Sequence, residues 1–127
     1  MELNNDCIRD VLLFIEDSNY PPNFLVLSDF FGADNLRQYY PDVIRYTILK
    51  LYEAKYINLD SVQIKNGYLL DFRCVGISWI GHQFLENIRE HTTWNIVKQK
   101  AKIVGSASIA ILSKIAEDYI EQKLNLK

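Results

Sequence analysis

Long apolar runs are missing from this 127-residue chain. A membrane-spanning helix needs about 20 consecutive apolar residues, and the uncharged stretch Ile103 to Ser113 is about half that length. No membrane partner is expected. An excess of basic charge is missing too. Fourteen Lys and Arg face sixteen Asp and Glu, a formal net charge of -2. That balance argues against strong, nonspecific nucleic-acid binding and leaves room only for a local basic patch. Cysteine is scarce. Cys7 and Cys74 lie far apart without metal-type spacing, and no secretory leader is read at the start. They are expected to be reduced thiols of a cytoplasmic protein, buried or idle. No Gly-rich phosphate loop appears, Gly76 and Gly81 do not form a G-x-G-x-x-G pattern, and no Ser-His-Asp arrangement shows in the spacing. His82, Glu86 and Glu90 fall at i, i+4 and i+8, but with no second His four residues on and no H-E-x-x-H arrangement they read as a solvated polar face. The expectation is a protein that is not an enzyme and holds no metal ion or cofactor.

What is present belongs to a globular domain. Hydrophobic residues make up 49 % of the chain and aromatics 13 %, enough for one domain with a real core. The stretch Pro41–Ile88 is the most legible. Pro41 suits a first helical turn, and Asp42 places negative charge at the positive end of the dipole. Val43, Ile44, Ile48, Leu49, Leu51 and Tyr52 then recur at helical spacing, which predicts a helix over Pro41–Lys55. Asn66-Gly67 is a strong type I′ hairpin signal, because both central residues need positive φ. Ile57, Leu59, Val62 and Ile64 precede it, and Tyr68, Phe72 and Val75 follow, as strand residues. The alternation slips at Asp60-Ser61, which predicts a bulge. Ser78 reads as the N-cap of the next helix, in which Ile80, Phe84 and Ile88 stack four apart. Gly81 in its first turn would let another backbone come close.

Before this stretch, Asn4 or Asn5 caps a first helix with Ile8, Val11, Leu12 and Ile15 inside. Tyr20-Pro21-Pro22-Asn23 ends it. Phe24–Leu27 reads as a short third strand beside the hairpin. Ser28–Tyr40 is the least legible segment, with a short helix over Ala33–Gln38 and a degenerate helix-turn-helix as the best reading. After the stretch, His91-Thr92-Thr93 bends the chain, and Thr93 caps a long helix from Trp94 towards Leu124. Trp94, Val97, Ala101, Val104, Ser108, Ile111 and Ile115 follow a 3-4-3-4 seam. Gly105, Ser106, Ala107, Ser108 and Ala110 make its middle small. Gly105 either kinks the helix or splits it in two. The seam either folds back on the domain or pairs with a second copy.

The fold class that emerges is α+β: a winged helix in the order helix-strand-helix-helix-hairpin-helix over residues 1–91, with a C-terminal helix or helix pair over 92–127. Arg45 and Lys50 on the recognition helix, Lys65 at the wing tip and Arg73 returning along the wing are the candidate DNA contacts. Asp42, Glu53, Asp60 and Asp71 share that region and oppose them. Trp94, Val97, Val104, Ser108, Ile111 and Ile115 are the candidate dimer residues. Lys98, Lys100 and Lys102 read as a solvated face, with an anionic partner as the sharper alternative.

Three blocks resemble a known family. Asn4 to Glu16 is similar to the opening of a family of small bacterial and prophage proteins catalogued only as a domain of unknown function, the 2513 family. Tyr46 to Ile57 resembles its second block, and Ile77 to Arg89 its third and most distinctive. Trp94 and Gly105-Ser106-Ala107-Ser108 resemble its C-terminal region. The family usually carries a histidine where this chain has Tyr46 or Thr47, and a glycine near Lys55. Its third block also resembles the strand-to-helix passage of regulators that end a wing with Thr-x-x-Gly, with Ser78 standing for the threonine. The resemblance implies a bacterial or phage origin and no established activity. The leading expectation is a transcription-regulator-like protein that binds duplex DNA as a homodimer. The rival is a non-enzymatic interaction module that uses the winged helix as a scaffold to bind a host or phage protein.

Overall fold

Asn4 starts the first helix by accepting the Cys7 N–H on its Oδ1 at 3.0 Å, which satisfies one of the orphan donors of the first turn. Helix α1 then runs over Asn5–Ser18 and turns Cys7, Ile8, Val11, Leu12 and Ile15 inward. The computed structural model describes residues 1–105 and 108–125. In it, α2 (Leu27–Phe31) and a 3-10 turn (Asp34–Leu36) lead to α3 (Pro41–Glu53). Strands β1 (Ile57–Lys65) and β2 (Tyr68–Ile77) form the wing, followed by α4 (Trp79–Ile88), α5 (His91–Val104) and α6 (Ile109–Asn125). The architecture is α+β, and its order up to α4 is that of a winged helix. One continuous set of buried side chains runs from Cys7 to Ala116, so the C-terminal helices share the core of the wing-bearing part.

The hairpin forms as its turn residues require. Asn66 and Gly67 have φ of 54° and 75°, the left-handed values of a type I′ turn. The strands pair antiparallel from Ile57↔Ile77 to Lys65↔Tyr68, and the register shifts between Asp60 and Gln63. Ser61 takes the extra position there with φ 51°, the bulge expected at Asp60-Ser61.

The third strand is smaller than the sequence suggests. Leu25 alone bridges β2, exchanging backbone hydrogen bonds with Cys74 at 3.0 and 2.7 Å. Beyond it the Asp29 side chain accepts the Val26 N–H at 2.8 Å, and the Asp29 N–H returns to the Val26 carbonyl. That local capping curls Leu27 to Phe31 into a helical turn instead of a strand. Phe30 on this turn packs edge-on against Phe14 and Phe72, with ring centroids 5.1 and 5.6 Å apart. A one-turn α2 and a 3-10 turn thus stand where a helix-turn-helix carries a two-turn helix.

The junction between α3, the wing and α4 is tightly built. Lys55 leaves α3 with φ 67°, a left-handed conformation that side chains rarely adopt. Ser78 accepts the Gly81 N–H at 3.1 Å and donates its hydroxyl to the Lys55 carbonyl at 2.7 Å. A Cβ on Gly81 would lie 2.0 Å from the Tyr56 carbonyl oxygen, so the close backbone approach expected at Gly81 is real. Phe84, Leu85 and Ile88 then fill the inner face of α4.

The C-terminal segment differs from one long helix. Helix α5 begins at His91, with Glu90 as its cap, so Thr93 lies buried in the first turn rather than capping it. Trp94 Nε1 and Lys98 Nζ both donate to Asp6 Oδ1 at 2.8 Å, which draws this start against α1. Gly105, at φ 78°, ends α5 as a left-handed C-cap. Helix α6 turns back and buries Ile109, Leu112 and Ala116. The chain splits at Gly105 and folds back on the domain. Ser106 and Ala107 of the small-residue stretch lie outside the described residues.

Arginines close the α1–α4 contact. Arg9 donates to the carbonyls of Ile88 and Arg89 at the end of α4. Arg89 forms a two-pronged pair with Glu16, with Nη2 to Oε2 at 2.7 Å, and also reaches Glu86. The hydrogen bond from Arg89 holds the Glu16 carboxyl below its ordinary value of 4.5.

Two predictions follow from this packing. Gly81→Ala is expected to destabilise the fold by about 2 kcal/mol or more, since backbone must move to admit the methyl, and urea denaturation will measure it. A carboxylate with a depressed folded pKa stabilises above its unfolded pKa and loses that contribution as pH falls through the folded one. Stability is therefore expected to drop below about pH 4.5, and Glu16→Gln is expected to flatten that acid limb in urea melts.

Candidate functional site

The recognition-helix position is occupied by α3, and the four candidate DNA contacts have distinct surroundings. Arg45 is half-buried. Its Nη1 donates to the Leu69 carbonyl at 2.6 Å, and its guanidinium lies 4.5 Å from the Tyr68 ring centroid and 5.5 Å from that of Phe31. Its Nε is enclosed without a hydrogen-bond partner among the described residues. This arginine clamps the wing to α3. Lys50 pairs with Glu53 at 2.8 Å and lies over the Tyr46 ring; the hydrogen bond it donates to Glu53 raises its pKa. Arg73 pairs with Asp60 across the hairpin at 2.6 Å and stacks on Phe24. Lys65 stands exposed beside the turn, with no ion pair among the described residues. The structure brings Arg45 to the wing root, spreads the other three over the wing and α3, and interleaves them with Asp42, Glu53, Asp60 and Asp71, all exposed. Field lines of such paired charges close locally, so the face is mixed rather than one-sided.

The candidate dimer residues divide. Trp94 and Val97 are buried in the chain's own core, and Ile115 is half-buried. Val104 and Ile111 are exposed. Ser108 is exposed and accepts the Ile111 N–H at the start of α6.

Three further places gather chemistry. Asp6, Arg9, Asp10, Tyr39, His91 and Lys98 line a polar cleft of about 560 Å³. Asp6 accepts from Trp94 and Lys98, Asp10 accepts from Gln38 and Tyr39, and Arg9 donates to the Ile88 and Arg89 carbonyls. Burial would raise the Asp6 carboxyl, but hydrogen bonds from Lys98 and Trp94 hold it below its usual value. Burial and the Asp10 carboxylate, 2.6 Å away, push the Tyr39 hydroxyl up. Burial also raises both free thiols, Cys7 and Cys74, to about 11, which disfavours the nucleophilic thiolate. Glu90 leaves α4, which ends at Ile88, so the His82-Glu86-Glu90 row does not continue on one helix. No group of three or more potential ligands among the described residues could hold a metal ion, and no described helix is long and apolar enough to cross a membrane.

The third place is a groove of about 610 Å³ between α4 and α6. Trp79, Ile80, Tyr56 and Phe84 supply its apolar lining, and among the described residues Glu86, which pairs with Arg89, and Glu117 are the charged groups that line it. Trp79 is 75 % exposed, the most open of the large aromatics on this side. The sequence reading missed it. The signal was available: Ile80, Phe84 and Ile88 define a stripe, and Trp79 lies about 100° away from Ile80 on the helical wheel.

A family described as "Hypothetical protein (DUF2513)" matches residues 2–108. The chain belongs to this family. Its matched span takes in α1, the wing, α4 and α5, so the whole winged-helix-like frame is the family's own. An "Uncharacterized protein" of Haemophilus influenzae is 28 % identical over 125 residues, which cover 98 % of this chain and 99 % of the relative. No solved structure matches significantly. In the middle block this family member has Lys55 in the left-handed conformation that a glycine takes without strain.

Arg45→Ala is expected to destabilise the fold by about 1–3 kcal/mol, through loss of a charged hydrogen bond and two ring contacts. Urea denaturation will measure this. Unchanged stability would mean that Arg45 does not clamp the wing.

Proposed function

We propose that this protein is a non-enzymatic protein-interaction module of bacterial or prophage origin. In this reading the winged-helix-like frame is a scaffold, and the α4–α6 groove receives a segment of a host or phage protein. The observation that carries it is the lining of that groove: an exposed Trp79 and Ile80 above Tyr56 and Phe84, with the carboxylates of Glu86 and Glu117 as the charged lining among the described residues. Exposed apolar surface rimmed by polar groups marks interaction sites, and tryptophan is enriched among the side chains that dominate binding energy. A basic amphipathic segment fits such a lining. Its apolar side would cover Trp79 and Ile80, and its cations would meet Glu86 and Glu117. The internal partners of Arg45, Lys50 and Arg73 weigh in the same direction, because they leave little unpaired positive charge for phosphates.

Duplex DNA is the second reading. It is favoured by the element order and by Lys65, exposed at the wing tip and without an ion pair among the described residues. A C-terminal face is left over in both readings for a second copy.

One pair of titrations separates them. A labelled basic amphipathic peptide is expected to bind and to blue-shift tryptophan emission, since Trp94 is already buried and Trp79 has water to lose. Trp79→Ala is expected to weaken binding by about thirtyfold or more. A labelled random duplex, followed by fluorescence anisotropy at low and moderate salt, is expected to stay free. Duplex binding that weakens steeply with salt and is abolished by Lys65→Glu would overturn the interaction reading in favour of DNA.

A further inference from the structure

The outer side of the α5–α6 pair carries a groove of about 360 Å³ that neither the core nor the α4–α6 groove uses. Its α5 wall is Lys100, Ile103 and Val104, and its α6 wall is Ile115, Asp118 and Tyr119. Each wall is an i, i+3, i+4 set, so each is one helix face. Ile103 and Val104 are 86 % and 62 % exposed, next to a basic residue on one side and an acidic one on the other.

The two walls are opposite in charge as well as adjacent. Between His91 and Val104, α5 carries Lys98, Lys100 and Lys102 and no carboxylate. Helix α6 carries Glu117, Asp118 and Glu121 against Lys114 and Lys123. Lys98 is committed to Asp6, whereas Lys100 and Lys102 are exposed and make no ion pair among the described residues. Asp118 has one exposed contact, to Lys114 at 3.6 Å, and a pair of that kind contributes little and yields readily.

We infer that the occupant of this groove is a second copy of the chain, related by a two-fold axis running along the groove. The argument is self-complementarity. An isologous interface uses the same patch twice, so the patch must complement itself. A two-fold axis along the groove lays each α5 wall on the partner's α6 wall. The basic Lys100 then faces the partner's acidic wall at Asp118, twice over, and the four apolar side chains of each copy meet at the centre. An axis across the groove would set lysine against lysine and aspartate against aspartate, which like-charge repulsion disfavours. The chosen axis also keeps every neighbouring helix pair antiparallel, the arrangement of an up-down four-helix bundle. Trp94 and Val97 take no part, because they are already buried in the core. The contact lies on a different face from the α4–α6 groove and stands or falls independently of the function proposed above.

Sedimentation of the full chain over a range of concentrations tests this inference. The expected result is a reversible species of twice the 14.9 kDa chain mass. Ile103→Asp is expected to weaken dimerisation by about a hundredfold or more, because it places two charges at the apolar centre. Lys100→Glu and Asp118→Lys are each expected to weaken it about tenfold, since each reversal is felt at two symmetry-related contacts. The double variant is expected to recover most of the loss, because it restores opposite charges in exchanged positions. All three positions are exposed in the monomer, and thermal melts followed by circular dichroism will confirm that the variants fold. A wild-type chain that stays monomeric at about millimolar concentration, about the weakest self-association of interest, would overturn the inference. So would a dimer indifferent to Ile103→Asp, or a double variant no better than the single ones, the last by ruling out the axis along the groove.

Discussion

The contact on which the rest of this fold depends is the approach of the Tyr56 carbonyl to Gly81. It allows no side chain at position 81. The same carbonyl accepts the Ser78 N–H at 3.1 Å, while the Ser78 hydroxyl reaches the Lys55 carbonyl. The base of the wing is thereby pinned where the chain leaves α3 and where it returns. That pin fixes the direction in which α4 enters. Phe84, Leu85 and Ile88 face the core, and Trp79 and Ile80 face outward onto the groove shared with α6. The candidate docking surface is thus a consequence of a backbone constraint some distance along the chain.

A second theme is that charge in this protein is spent internally. Arg9 and Arg89 tie α1 to α4, Arg45 ties α3 to the wing, Arg73 spans the hairpin, and Lys98 joins Trp94 on Asp6. Arginine suits this use because its planar fork meets carbonyls, carboxylates and rings at once. A chain with a formal net charge of -2 that commits its cations in this way keeps little positive potential for a polyanion. Lys55, Lys65, Lys100 and Lys102 are among the lysines outside these contacts, and they mark surfaces with charge to offer a partner.

Much of the frame was legible because its signals are local. Asn66-Gly67 specified the turn, Asn4 and Ser78 the helix starts, Pro41 the entry to α3, and the slipped alternation at Asp60-Ser61 the bulge. Each depends on dihedral or hydrogen-bonding chemistry within a few residues. The segment Phe24–Tyr40 was harder, because short elements hold little periodicity and their state is set by neighbours. Leu25 became a bridge only because Cys74 lies beside it, and Phe30 became a core residue only because Phe14 and Phe72 meet it there. The start of α5 shifted for a similar reason: Asp6 on α1 draws in Trp94 and Lys98, a contact 88 and 92 residues away in sequence.

By itself, then, the sequence determined the order of elements from α3 to α4, the wing, its bulge and the α+β class, because capping, turn chemistry and hydrophobic spacing act over one or two turns. It also determined family membership, through blocks that this chain shares with the family. Tertiary structure decided which of the charged and apolar residues remain available. Arg45 and Trp79 show the division: the sequence offers Arg45 as a candidate contact on α3 and assigns Trp79 no role. Packing half-buries the arginine beside the rings of Tyr68 and Phe31 and leaves the tryptophan 75 % exposed. Exposure is a property of how elements meet, and no local pattern encodes it.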